Sequence, residues 1–104
     1  MYEIALITIN NEEQAETIAR ELVQNQLAAC VNIIPGIKSV YVWNGKIEKD
    51  SELLLIAKTK SEAKERVMKK IQEIHPYENP ECIFIGINDG LKNYLNWLDE
   101  NIKD

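Results

Sequence analysis

Ser39-Val40-Tyr41-Val42-Trp43-Asn44-Gly45-Lys46-Ile47-Glu48 is the stretch that decides the fold of this chain. A two-residue type I′ turn needs φ > 0 at both central positions, and Asn-Gly between β-branched and aromatic residues is the strongest short-range hairpin signal. Upstream, Leu27-Ala28-Ala29-Cys30-Val31-Asn32-Ile33-Ile34 has strand character and is interrupted at Pro35-Gly36, which reads as a bend or bulge. Downstream, the partner strand runs from Lys46 to about Thr59. Its first half alternates charge through Glu48, Asp50 and Glu52, and its second half, Leu53-Leu54-Leu55-Ile56-Ala57, is apolar on both faces. The spacing predicts a long hairpin with a polar tip and a buried base.

Residues 2–9, Tyr-Glu-Ile-Ala-Leu-Ile-Thr-Ile, read as a buried strand. Asn11 with Gln14 resembles a capping box, and Ala15, Ile18, Ala19 and Leu22 recur at helical spacing behind it. On the far side of the hairpin, Ser61 is a plausible N-cap for a second helix, whose apolar stripe is Ala63, Val67, Ile71 and Ile74. Residues 81–87 form another strand apolar on both faces. Asn88-Asp89-Gly90 then turns into a last helix with Leu91, Tyr94, Leu95, Leu98 and Ile102 on one stripe. The order β-α-β-β-α-β plus a terminal helix is the ferredoxin-like, α+β pattern, expected as a single domain over residues 1–104.

In that arrangement both crossover helices cover one face of the sheet, so strands of an isolated protomer should alternate apolar and polar residues. These strands do not. Ile4 and Leu6 oppose Ala5, Ile7 and Ile9, while Ile83, Ile85 and Ile87 oppose Cys82 and Phe84. One short terminal helix is a poor match for the width of a four-stranded sheet, so the second face is expected to be covered by other copies of the chain.

With 104 residues, one domain can build a core, and a formal net charge of −5 with lysines scattered among glutamates argues against nucleic acid as a partner. The N-terminal residues carry no basic leader, and no apolar run reaches bilayer length, so no membrane partner and a cytoplasmic location are expected. Cys30 and Cys82 are far apart and fit neither a close-spaced metal pair nor a redox motif.

The richest chemistry lies in His75-Pro76-Tyr77-Glu78-Asn79-Pro80-Glu81, which holds the only histidine and two of the three prolines. Each proline fixes its own φ and pushes the residue before it toward extended backbone, so a stiff loop joins the second helix to the last strand. As a general base His75 would need an orienting carboxylate such as Glu78 or Glu81. Imidazole, thiolate and carboxylate together suit copper or zinc, but a closed zinc site wants about four protein ligands, which one histidine reaches only with cysteines, Glu81 or a neighbouring copy. Lys58 ends the apolar run and either reaches the sheet edge or pairs in a cleft. Tyr41 and Trp43 offer a stacking platform, although cross-strand packing explains them more simply. Phosphate loops, nucleophile elbows and HExxH-type motifs are absent, and no enzyme is expected.

Taken together, Leu27 through Gly36, Tyr41-Val42-Trp43-Asn44-Gly45-Lys46-Ile47-Glu48, Lys58-Thr59, His75 through Glu81 and Tyr94-Leu95-Asn96-Trp97-Leu98 resemble, in order, the CutA divalent-cation tolerance family. The resemblance implies a ferredoxin-like fold close to that of PII-type signalling proteins, assembled as a homotrimer. It implies binding of Cu²⁺ or another divalent cation that is not obligatory for folding, and no enzymatic activity. The matching motif positions are Cys30, Lys58, His75, Tyr77, Pro80 and Glu81, which the resemblance places in a cleft between subunits, with His75 as the metal ligand. Some members add a cysteine and a second histidine where this chain has Ile7 and Ile74. A site built on those ligands is incomplete here. The alternative function is a PII-like sensor whose intersubunit cleft takes an anionic or zwitterionic small molecule.

Overall fold

The computed structural model describes residues 1–103. Strand β1 (Tyr2–Ile9) leads into helix α1 (Glu12–Gln24), strand β2 (Cys30–Trp43) and strand β3 (Lys46–Lys60). A short 3₁₀ turn (Ser61–Ala63) precedes helix α2 (Lys64–Ile74), and strand β4 (Cys82–Gly86) and helix α3 (Lys92–Glu100) complete the chain. The strands form one antiparallel sheet in the order β2-β3-β1-β4, the ferredoxin-like topology that the element order predicts.

Asn44 and Gly45 both have positive φ, 52° and 76°, and Trp43 lies opposite Lys46, so the tip of the hairpin is a two-residue turn. The Pro35-Gly36 interruption is a bulge: the pairing shifts between Ile34 and Ile37, and Gly36 takes φ 79°. The strand continues through it, so β2 is one element carrying the bulge that Pro35-Gly36 predicts. Asn11 caps α1 by accepting from the Gln14 N–H at 2.8 Å.

Register divides the side chains between two faces. Ala5, Ile7 and Ile9 lie opposite Ala57, Leu55 and Leu53 on one face, with Val31 and Ile33 beside them on β2. Helices α1 and α2 cover this face through Ala15, Ile18 and Leu22 and through Val67 and Ile71, forming one core. The opposite face carries Ile4, Leu6, Leu54 and Ile56 at its centre, flanked by Ile34, Ile83 and Ile85, of which Ile83 remains 52% exposed.

Helix α3 leaves those outer isoleucines open. Lys60 Nζ meets Asp99 Oδ1 at 3.1 Å, and the Lys103 N–H donates to the Gln26 carbonyl at 2.8 Å, so the helix is tied to the end of β3 and to the turn after α1. Leu98 and Ile102 are buried as the stripe predicts. Leu91 and Tyr94 are exposed instead, because α3 lies at this end of the sheet and buries a narrower face.

Ser61 does not cap α2. Its hydroxyl bonds the carboxylate of the buried Glu3, and α2 starts from Ala63 without a side-chain cap. Glu3 also meets Lys64 Nζ at 3.2 Å. The Ser61 hydroxyl, followed by Lys64, holds this carboxyl below its ordinary range, against the opposing effect of burial.

Candidate functional site

Helix α2 ends at His75, whose backbone turns extended (φ −78°, ψ 131°) ahead of Pro76 while its N–H still closes the last helical turn on the Ile71 carbonyl. The side chain turns inward and is 7% exposed. Nε2 lies 2.8 Å from the Thr8 carbonyl of β1, and Nδ1 lies 3.1 Å from the Tyr77 backbone nitrogen. The imidazole thus pins the start of the loop to the end of β1.

Two residues further on, the Tyr77 ring meets His75 edge to face at 4.5 Å, and its hydroxyl donates to Glu52 Oε2 at 2.6 Å. Glu52 is 6% exposed, an unusual state for a carboxylate and one that the phenol hydrogen bond partly compensates. Burial, then this hydrogen bond, pushes the Tyr77 phenol well above the usual tyrosine range. A second phenol repeats the arrangement on the hairpin: the Tyr41 hydroxyl donates to Asp50 Oδ2 at 2.6 Å, and that bond foremost raises the Tyr41 pKa to about 12.

The loop and the hairpin enclose a cleft of about 630 Å³. Its walls include Tyr41, Trp43 and Tyr77 together with Asp50, Glu52, Glu78 and Glu81, and among the described residues no lysine, arginine or histidine side chain lines it. A second cleft of about 430 Å³ lies on the other side of the loop, between α2 and β4, where Pro80 and Cys82 face Met68 and Ile71. Burial pushes the Cys82 thiol up to about 11, followed by the nearby Glu81.

The six motif positions therefore fall into separate groups within one protomer. Glu81 lines the first cleft, Pro80 lines the second, Tyr77 stands between the two and lines both, and His75 lies behind the loop. Cys30 and Lys58 are paired at the other end of the open sheet face, where Lys58 Nζ lies 3.8 Å from Cys30 Sγ and bonds the Asn32 side-chain oxygen. Five residues of β3 lie between Glu52 and Lys58, roughly 20 Å of strand from one to the other. Sequence reading missed Glu52 and Asp50 as site residues, treating them as part of the polar hairpin tip. For Asp50 the signal is its place diagonal to Tyr41 on the facing strand; Glu52 has no such local signal.

These donors do not fit a preformed copper or zinc centre. Among the described residues no three of histidine, cysteine, aspartate and glutamate converge on a metal-sized position. Both His75 nitrogens are already engaged. Cys30 lies on the open face and Cys82 beneath the helices, and both are free thiols. Ile7 is fully buried in the core.

An antiparallel split-βαβ sheet, helices on one face and a proline-stiffened loop over a carboxylate-lined cleft define a ferredoxin-like α+β protein with a terminal helix. The chain belongs to the CutA1 divalent ion tolerance protein family, whose profile matches residues 3–101. It is 46% identical over 101 residues to the divalent-cation tolerance protein CutA of Thermus thermophilus, covering 97% of this chain and 98% of that one. It is 42% identical to the chloroplastic protein CutA of Arabidopsis thaliana, of which it spans 56%, about half the relative's length. Among solved structures, the Thermus thermophilus Cut A1 protein superposes with a TM-score of 0.97, covering 99% of this chain and all of that one at 46% identity. A CutA from Archaeoglobus fulgidus, described as periplasmic, superposes with a TM-score of 0.95 at 43% identity, again over 99% of this chain and 100% of that chain.

Proposed function

We propose that the chain serves divalent-cation tolerance as a cytoplasmic homotrimer that binds divalent cations at the cleft between the hairpin and the 75–81 loop. The observation that carries this reading is the lining of that cleft, where Asp50, Glu52, Glu78 and Glu81 stand without a cationic side chain. Dispersed carboxylates lower the potential for any divalent cation and are oxygen donors, so copper would be taken as other divalent cations are, with no dedicated copper centre. The trimer is part of the proposal: the open face, with its row of isoleucines, would be buried between copies, and a neighbour's Cys30 and Lys58 would meet the Tyr77 and Glu81 edge of the cleft, where one ammonium leaves the four carboxylates in excess. Apolar surface of this extent on one sheet face supports association. No catalytic step is assigned, because the only imidazole has both nitrogens engaged.

Calorimetric titration with Cu²⁺, Zn²⁺ and Mn²⁺, paired with sedimentation equilibrium, tests this. Expected are binding of all three metals, weakened by Glu81→Gln, and a trimer mass at micromolar protein. A monomer, or metal binding indifferent to Glu81, would reject it.

A second reading, a PII-like small-molecule sensor, draws on the size of the cleft, which falls within the usual range of ligand pockets. Within one protomer the lining favours a cationic ligand over an anionic one, since Lys58 lies at the opposite end of the sheet face. A metabolite screen by thermal shift distinguishes the two, because a ligand far above its Kd stabilises the fold in the absence of metal.

A further inference from the structure

We infer that His75 is a positioning residue, held as the neutral imidazole with its proton on Nε2, and that it is not a metal ligand in this chain. The tautomer follows from what its partners are able to do. The Tyr77 backbone N–H only donates, so Nδ1, 3.1 Å away, meets it with its lone pair. The Thr8 carbonyl only accepts, so Nε2, 2.8 Å away, must carry the hydrogen. A neutral imidazole has one lone pair available to a metal, and here the Tyr77 N–H occupies it.

The surroundings reinforce the assignment. The ring is 7% exposed, and the Tyr77 ring packs against it at 4.5 Å. No group of three ligand side chains forms around it or elsewhere among the described residues. Nδ1 accepting from the N–H two residues on reproduces the turn that Asn and Asp side chains make with their own backbone. With Pro76 fixing the residue between them, this turn aims Tyr77 so that its hydroxyl reaches Glu52. His75 thus acts on the acid-lined cleft through Tyr77.

The inference concerns the imidazole alone and stands separately from cation binding by the cleft. It is tested on the wild-type protein by long-range ¹H–¹⁵N correlation, since the only histidine in the chain gives a single ring spin system. Expected are one pyridine-like nitrogen, assigned to Nδ1, and one pyrrole-like nitrogen, Nε2, both unmoved when Zn²⁺ is added to saturation of whatever it binds. A Zn²⁺-dependent shift of Nδ1, or a proton on Nδ1 in the neutral ring, would overturn it. Variants give a second readout. His75→Asn keeps an acceptor for the Tyr77 N–H and His75→Ala does not, so amide-exchange protection at Tyr77 should survive in the first and be lost in the second. The Zn²⁺ affinity of His75→Asn should stay within about twofold of wild type, whereas loss of a ligand would cost about tenfold or more. A tenfold loss in His75→Asn with Tyr77 still protected would identify His75 as a ligand and reject the inference.

Discussion

The Tyr77 hydroxyl donates to Glu52 across 25 residues of chain, joining the loop after α2 to the middle of β3 at 2.6 Å. This bond closes one wall of the acid-lined cleft and gives the most buried carboxylate there its hydrogen-bond partner. Tyr77→Phe keeps the ring against His75 but removes the donor, leaving Glu52 poorly solvated. The expected cost is about 1–3 kcal/mol in urea unfolding, and Glu52→Gln combined with Tyr77→Phe should recover part of it. A neutral effect of Tyr77→Phe would mean that water already supports Glu52.

Tyrosine ionisation offers a spectroscopic check on the second phenol. Asp50 holds the Tyr41 proton, so its ultraviolet titration is expected near pH 12, against about 10 for an ordinary tyrosine. Because the folded pKa is raised, the associated stability is fully present below pH 10 and is lost as pH climbs toward 12. Asp50→Asn should return the transition toward the ordinary value; an unchanged midpoint would count against the hydrogen bond.

At the acidic end the sign reverses. Ser61, and then Lys64, lower the Glu3 pKa, so Glu3 stabilises the fold above its unfolded pKa, about 4.3, and that contribution fades as pH falls through the lower folded value. Ser61→Ala should narrow the difference in stability between pH 6 and pH 3, as measured by chemical denaturation at both. An identical pH dependence in the variant would place the acid sensitivity elsewhere.

Much of this fold is legible in the sequence because its signals are local. Asn44-Gly45 fixes the hairpin, Pro35-Gly36 the bulge, and Asn11 the start of α1, each through backbone constraints within a few residues. Ser61 misleads for a non-local reason: Glu3, 58 residues away, takes its hydroxyl. The site was half readable. The proline pattern exposes the 75–81 loop, but the inward turn of His75 depends on the Thr8 carbonyl, and a backbone acceptor leaves no mark in sequence. Glu52 sits in a charged run that reads as solvated until Tyr77 is brought onto it.

Thiol chemistry should discriminate between the clefts. In Cys30→Ser the remaining Cys82, with its pKa raised to about 11 by burial, should react with a disulfide reagent at pH 8 at least about tenfold more slowly than an unperturbed thiol. Reaction at an ordinary rate would show that the Pro80 side of the loop opens readily to solvent.

The central claim places divalent cations among the carboxylates of the hairpin cleft and leaves His75 as the support behind it. Anomalous diffraction from crystals soaked in Zn²⁺ tests it most directly. The account predicts density beside Glu52 or Glu81, with the His75 ring still bridging Thr8 and Tyr77. A peak within about 2.1 Å of a His75 nitrogen, the distance of a zinc–imidazole bond, would contradict it.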